Sequence, residues 1–193
     1  MPVDPSDQRD IRAGLQGDGE AYARLVRRYQ NAVAGRMWRF TRDRQTLEEL
    51  VHEVFVEAYV SLRRYRGEAP LAHWLNRIAT RVGYRFWKRQ RRPAARTVEL
   101  QDWDAVLSND EERTDPAEAG RVLHELMGRL GPRDRLVLTL MYMEELSVEQ
   151  VAQRTGWSKT MVKVQAFRAR RKLRKLFEDI GVGRTRNMPE DRP

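Results

Sequence analysis

The sequence predicts an all-α protein made of two small helical domains, a three-to-four-helix bundle and a helix-turn-helix domain, joined by a flexible acidic linker. Three observations carry that expectation. Apolar residues recur at helical spacing in nearly every segment, and strand-like alternation is scarce. The net charge of +9 is segregated: residues 1–92 hold 19 Lys plus Arg against 11 Asp plus Glu, residues 93–120 hold 2 against 8, and residues 121–193 hold 16 against 9. Finally, residues 146–177 read as a capped helix, a glycine turn and a second capped helix that ends in cations.

Taken in order, residues 1–17 read as a loose N-terminal tail. Asp18 is placed to cap a helix whose Ala21, Leu25, Tyr29, Val33, Met37 and Phe40 share one face. Thr46 with Glu49 forms a capping-box pattern for a second helix, with Leu50, Val54, Phe55, Ala58, Tyr59 and Leu62 inward and Gly67 just past its end. After a loop at 68–70, Leu71, Trp74, Leu75, Ile78, Ala79 and Val82 mark a third helix, which must stop near Pro93. These helices make a first domain at 18–92.

Residues 93–115 lose periodicity and turn acidic, which predicts a linker able to span up to ~76 Å when extended. Asp115-Pro116-Ala117-Glu118 is a helix start, continued by Val122, Leu123, Leu126, Met127 and Leu130. Gly131-Pro132 breaks the chain before a helix over 133–143. Ser147 with Gln150 then caps the first helix of the pair, Gly156 ends it, and Ser158 is placed to cap the second. That second helix buries Val162, Ala166, Ala169 and Leu173, while six of the eight residues from Arg168 to Lys175 are cations. The second domain is 116–178, and 179–193 reads as a C-terminal tail.

Several function classes drop out. With no cysteine there is no disulfide framework and no thiolate metal site. The polar, acidic start does not read as a signal peptide, and no apolar run approaches the ~18 residues of a membrane span. The expectation is a cytoplasmic protein without membrane insertion. His52-Glu53 begins an HExxH pattern, but Val56 stands at the second His position. His52, His73 and His124 are isolated, phosphate-binding glycine loops and the GxSxG pattern are missing, and no catalytic residue, metal or cofactor is expected.

What remains is nucleic-acid chemistry. A cation-rich helix behind a glycine turn suits a phosphate backbone. The run RVGYRFWKRQRR at 81–92 sets six cations among Tyr84, Phe86 and Trp87. Cations track phosphate while rings stack on unpaired bases. Phe86 continues the apolar stripe and reads as packing, whereas Tyr84 and Trp87 fit either role. The residues also fit a helix-turn-helix regulator with an N-terminal sensing or partner-binding domain, and less well a nuclease without its metal cluster.

Residues 18–177 together resemble the RNA polymerase sigma-70 family, in its short extracytoplasmic-function (ECF) form that keeps only regions 2 and 4. LEELVHEVFVEAY resembles the family's helix for the polymerase clamp, RYRGEAPLAHWLNRIA its promoter-melting loop and helix, and RVGYRFWKRQRR the basic end of region 2. LMGRLGPRDRLVLTLMYMEELSVEQVAQRTGWSKTMVKVQAFRARRKL resembles region 4. The resemblance implies a factor that binds core RNA polymerase, reads a minus-35 element and opens a minus-10 element, with an anti-sigma protein as a partner. It puts Ser158, Lys159, Thr160, Lys163, Val164, Gln165, Arg168 and Arg171 at the minus-35 element. Arg66, Gly67, Glu68, His73, Trp74, Arg81, Tyr84, Arg85, Lys88, Arg89, Arg91 and Arg92 fall at the minus-10 element, and Glu48, Glu49, Leu50, His52, Glu53 and Phe55 on the polymerase. Where the family reads Thr-Val-Lys-Ser-Arg, this chain has Met161-Val162-Lys163-Val164-Gln165, so Gln165 is expected to read adenine through its amide. Glu49 and His52 replace Asp and Gln, and Arg81 and Arg85 stand where Asn and often Asp occur.

Overall fold

The computed structural model describes residues 4–90 and 116–180, and every regular element among them is helical. They fall into two compact units. One contains the helices up to Gln90 together with Leu146–Lys159; the other contains the described parts of 91–145 and 160–193.

The first unit begins with a helix where the sequence predicts a tail. α1 (Pro5–Leu15) is capped by Asp4, whose carboxylate accepts from the Ser6 amide at 2.7 Å, with Pro5 in the first turn. Ile11 and Gly14 are buried, and so are the carboxylates of Asp7 and Asp10. Arg28 of α2 (Gly19–Met37) bridges both, reaching Asp10 at 3.0 Å and Asp7 more closely. Arg24 pairs with Asp10 at 2.8 Å, and the Tyr29 hydroxyl donates to Asp7 at 2.5 Å. Burial alone would raise the Asp10 carboxyl, but the hydrogen bonds from Arg24 and Arg28 outweigh it and hold Asp10 below its ordinary value. α1 is fixed mainly by ion pairs, which explains why an apolar pattern does not announce it.

α2 is capped by Asp18 and buries Ala21, Leu25, Val33 and Met37, as its periodicity predicts. α3 (Arg44–Ser61) starts earlier than expected. Its N-cap is Asp43, which accepts from the Thr46 amide at 2.7 Å, so Thr46 supplies a backbone donor instead of opening the helix. α3 buries Leu50, Val54, Phe55 and Ala58, then tightens into a short 3₁₀ turn at Leu62–Arg64. Gly67, at φ +71°, carries the chain through a left-handed turn that a side chain would strain.

α4 (Leu71–Gln90) completes the bundle through Leu71, Leu75, Ile78, Ala79 and Val82. Gly83 sits so close to Phe40 that a β-carbon there would overlap the ring. One turn on, Trp87 is 3 % exposed, with its ring 4.5 Å from that of Phe40 and its indole N–H donating to the Phe40 carbonyl at 2.9 Å. Trp87 is therefore a core residue, which settles the choice its sequence context left open. α7 (Val148–Thr155) belongs to this unit and packs on α4.

In the second unit, α5 (Pro116–Arg129) buries Leu126 and Met127, and Leu130 follows. α6 (Pro132–Leu138) starts on Gly131 and Pro132 and passes into a π-helical turn at Thr139–Met143, where a continuous α-helix was expected. Leu136, Val137, Leu138 and Leu140 are buried there. α8 (Lys159–Asp179) contributes Val162, Ala166 and Ala169. Arg91, Arg92, the expected linker at 93–115 and the tail from 181 onward lie outside the described residues. Among the described residues no helix is long and apolar enough to cross a membrane.

Candidate nucleic-acid interface

The local geometry of the helix-turn-helix follows from its caps. The Ser147 hydroxyl accepts from the Gln150 amide at 3.2 Å, and the Gln150 side chain accepts from the Ser147 amide at 2.9 Å, a complete capping box. Gly156 closes α7 at φ +77°, and the Thr155 hydroxyl accepts from the Trp157 amide at 3.2 Å. Ser158 immediately precedes α8, at the cap position. Lys159 is ion-paired with Glu149 at 2.6 Å, both exposed.

Along α8 each residue turns about 100°. The buried stripe of Val162, Ala166 and Ala169 therefore leaves Thr160, Lys163, Val164, Phe167, Arg168 and Arg171 on the outward face, and all six are exposed. Lys163, Arg168 and Arg171 make no ion pair among the described residues, so their charge is available to a polyanion. Gln165 lies on the flank, half-buried, with its amide nitrogen donating to Asp134 Oδ1 at 2.6 Å. Phe167 was absent from the residues expected to meet DNA, yet it is 61 % exposed. The signal for it was present, because Phe167 falls off the stripe that the other apolar residues of this helix define.

The basic end of α4 is arranged differently. Arg85 pairs with Glu53 at 2.9 Å and, more closely, with Glu57, while Arg89 reaches the second oxygen of Glu53 at 3.2 Å. The residues expected on minus-10 DNA and on the polymerase thus meet one another across α3 and α4. Burial would raise the Glu53 carboxyl, but hydrogen bonds from Arg89 and Arg85 hold it below its ordinary value. Arg81 is exposed, and the Lys88 ammonium lies 6.0 Å from the half-buried Tyr84 ring. In the preceding loop the Tyr65 hydroxyl donates to the Ala69 carbonyl at 2.5 Å, and its ring packs 5.3 Å from half-buried Trp74. Arg66, Gly67, Glu68 and His73 stay exposed around that support, with Arg66 and Glu68 3.9 Å apart.

On α3, Glu48, Glu49 and His52 are exposed, but Leu50 and Phe55 are 2 % and 8 % exposed. Leu50 and Phe55, expected to meet the polymerase, belong to the apolar stripe that holds α3 in its own bundle. Accessible apolar surface is offered by a groove of about 660 Å³ between α2 and α3, where Val26, Val51, His52, Val56 and Tyr59 line the wall and the edge of Phe55 is still reached. Val56 and Tyr59 are 46 % and 52 % exposed. At the groove's edge the Tyr22 hydroxyl donates to the Phe55 carbonyl at 2.5 Å, and burial pushes its pKa up to about 12, so it stays neutral.

Residues 25–93 match the family model of sigma-70 region 2, and residues 120–173 match that of sigma-70 region 4. The chain belongs to the sigma-70 family, as an ECF member. This sigma factor is 30 % identical to the RNA polymerase sigma-H factor of Pseudomonas aeruginosa, over 93 % of its own length and 98 % of the relative's. It is 28 % identical to the ECF RNA polymerase sigma-E factor of Haemophilus influenzae, covering 91 % of this chain and 97 % of that one. Among solved structures it is similar to CnrH in complex with the cytosolic domain of CnrY, at a TM-score of 0.58 and 25 % identity over 90 % of this chain and 98 % of that one. The fold is also shared with RpoE in complex with the anti-sigma factor NepR from Bartonella quintana, at a TM-score of 0.52 and 20 % identity over 81 % of this chain and 96 % of that one.

Proposed function

We infer that this sigma factor binds core RNA polymerase and directs it to promoters, with α8 on the minus-35 element and the loop at 65–70 together with α4 on the minus-10 element. One observation carries the reading most: regions 2 and 4 stand in one chain, and region 4 presents an outward helix face with Lys163, Arg168 and Arg171 unpaired among the described residues. Insertion of that face into a major groove follows from its charge and its single long helix. Gly67 and the Tyr65–Trp74 contact shape the loop in which an unstacked base would be held, and Arg81, Tyr84 and Lys88 would meet the strand further along α4. Glu48 and His52 border the apolar groove on α2 and α3, and Glu49 is exposed on the same helix, which offers the polymerase both charge and apolar area.

The factor acts in the cytoplasm as an initiation factor, and no reaction of its own is assigned to it. An anti-sigma protein that covers these same surfaces is its regulatory partner in this proposal. The test is transcription in vitro from a library of randomised promoters, using core polymerase with and without the chain. Transcripts that start at defined promoters only when the chain is present are expected. If the chain adds none, the reading is wrong.

A further inference from the structure

We propose that Asp134 holds Gln165 away from the bases, and that Val164 and Phe167 read the minus-35 element through the 5-methyl groups of thymine. This rests on the assignment of α8 to minus-35 DNA. Asp134 lies in the first turn of α6 and is 3 % exposed. Each of its carboxylate oxygens accepts one hydrogen bond from α8: Oδ1 from the Gln165 amide nitrogen at 2.6 Å, and Oδ2 from the Lys172 ammonium at 2.6 Å. A carboxylate offers no proton, so the Gln165 side chain must turn its NH₂ toward Asp134. Recognition of adenine by glutamine uses the amide nitrogen and the amide oxygen together. Here one of the two amide protons is held by a buried carboxylate inside the domain, which turns the half-buried side chain off the outward face of α8, and Lys172 is ion-paired with the same carboxylate.

The outward face then has an apolar centre. Val164 lies opposite the buried stripe, Phe167 follows one turn later, and the two are 43 % and 61 % exposed. Lys163, Arg168 and Arg171 surround them without ion pairs among the described residues, a rim suited to phosphates. The edge of a base pair in the major groove carries one apolar group, the thymine methyl, and side chains such as Phe contact it. Duplex DNA with thymine opposite these two residues satisfies both the rim and the centre. A serine at position 164, as in the usual family pattern, would present a hydroxyl there in place of two methyl groups.

The experiment uses the full chain with core polymerase. Sequences are selected from a library randomised across the minus-35 element, and each selected thymine is then replaced by deoxyuridine, which removes only the methyl. The expected result is a selected thymine whose replacement lowers promoter occupancy about fourfold, the worth of one buried methyl. Val164→Ala or Phe167→Ala should abolish that sensitivity, and Gln165→Ala should leave the selected sequence unchanged. Asp134→Ala should alter the preference at one base pair, and Asp134→Ala with Gln165→Ala should restore the original selection. Insensitivity to deoxyuridine at every thymine, or a changed selection with Gln165→Ala alone, would overturn the proposal even if the Asp134 variants do not fold. If the unmodified chain selects no sequence at all, the assignment of α8 fails, and this proposal fails with it.

Discussion

α4 and α8 both end in dense positive charge, yet they dispose of it in opposite ways. On α4, Arg85 and Arg89 are drawn onto Glu53 and Glu57 of α3, and the neighbouring Trp87 is buried against Phe40. On α8, the buried stripe consists of small or branched residues, and Lys163, Arg168 and Arg171 stand outward, while among the described residues Lys159, Lys172 and Arg170 are engaged, on Glu149, Asp134 and the Tyr142 hydroxyl. Cation density in a sequence therefore does not measure charge free to bind. Part of α4's charge closes its own bundle, whereas the charge on α8's outward face remains for a partner.

The sharpest way to break the comparison is at Tyr84 and Trp87 of α4. Trp87→Ala should cost about 3–5 kcal/mol in denaturant unfolding, because it removes a buried ring and leaves the Phe40 carbonyl without its donor. Tyr84→Ala should change stability by less than about 1 kcal/mol and slow strand opening at minus-10, scored by permanganate reactivity of unpaired thymines. Equal stability losses would mean that Trp87 is no more a core residue than Tyr84.

Next in size is Gly83→Ala. The added methyl overlaps the Phe40 ring, and the expected destabilisation is about 1–3 kcal/mol despite the better helix propensity of alanine. A gain in stability would show that α4 has room to move away from Phe40.

A smaller effect tests the carboxylates. Glu53 is held below its ordinary value of 4.5 in the folded chain, so its contribution is fully present above that pH and is lost as pH falls through the depressed value. Because both partners are partly exposed, the contribution is below about 1 kcal/mol. Glu53→Gln should flatten the acid limb of a stability-against-pH curve; an unchanged limb would remove Glu53 as the tie.

These differences also mark what could be read from the chain alone. The stripes of α2, α3 and α4, except for Tyr59, which was expected inward and is exposed, and the Ser147–Gln150 capping box were legible because each depends on residues within a few positions of one another. The apolar face of α1 was not, since its anchors are Asp7 and Asp10 meeting Arg24, Arg28 and Tyr29, an ionic match at helical spacing that leaves no apolar period; its Asp4-Pro5 start is the same local signal as Asp115-Pro116. The hydrogen-bond partner of Gln165 is Asp134, 31 residues away, and that of Arg85 is Glu53, 32 residues away. Such pairings are set by packing between helices. Phe167 could have been found, because its position off the buried stripe is a local fact.

The salt dependence of promoter binding tests the contrast most directly. Holoenzyme made with the unmodified chain is compared with Arg168→Ala, Arg171→Ala, Arg85→Ala and Arg89→Ala on one promoter fragment across a range of salt. Each α8 substitution should lower the slope of log affinity against log salt by about 0.9, the loss of one phosphate contact, while the α4 substitutions leave it nearly unchanged. Equal reductions from both helices would contradict the claim that α4 uses these cations within its own bundle.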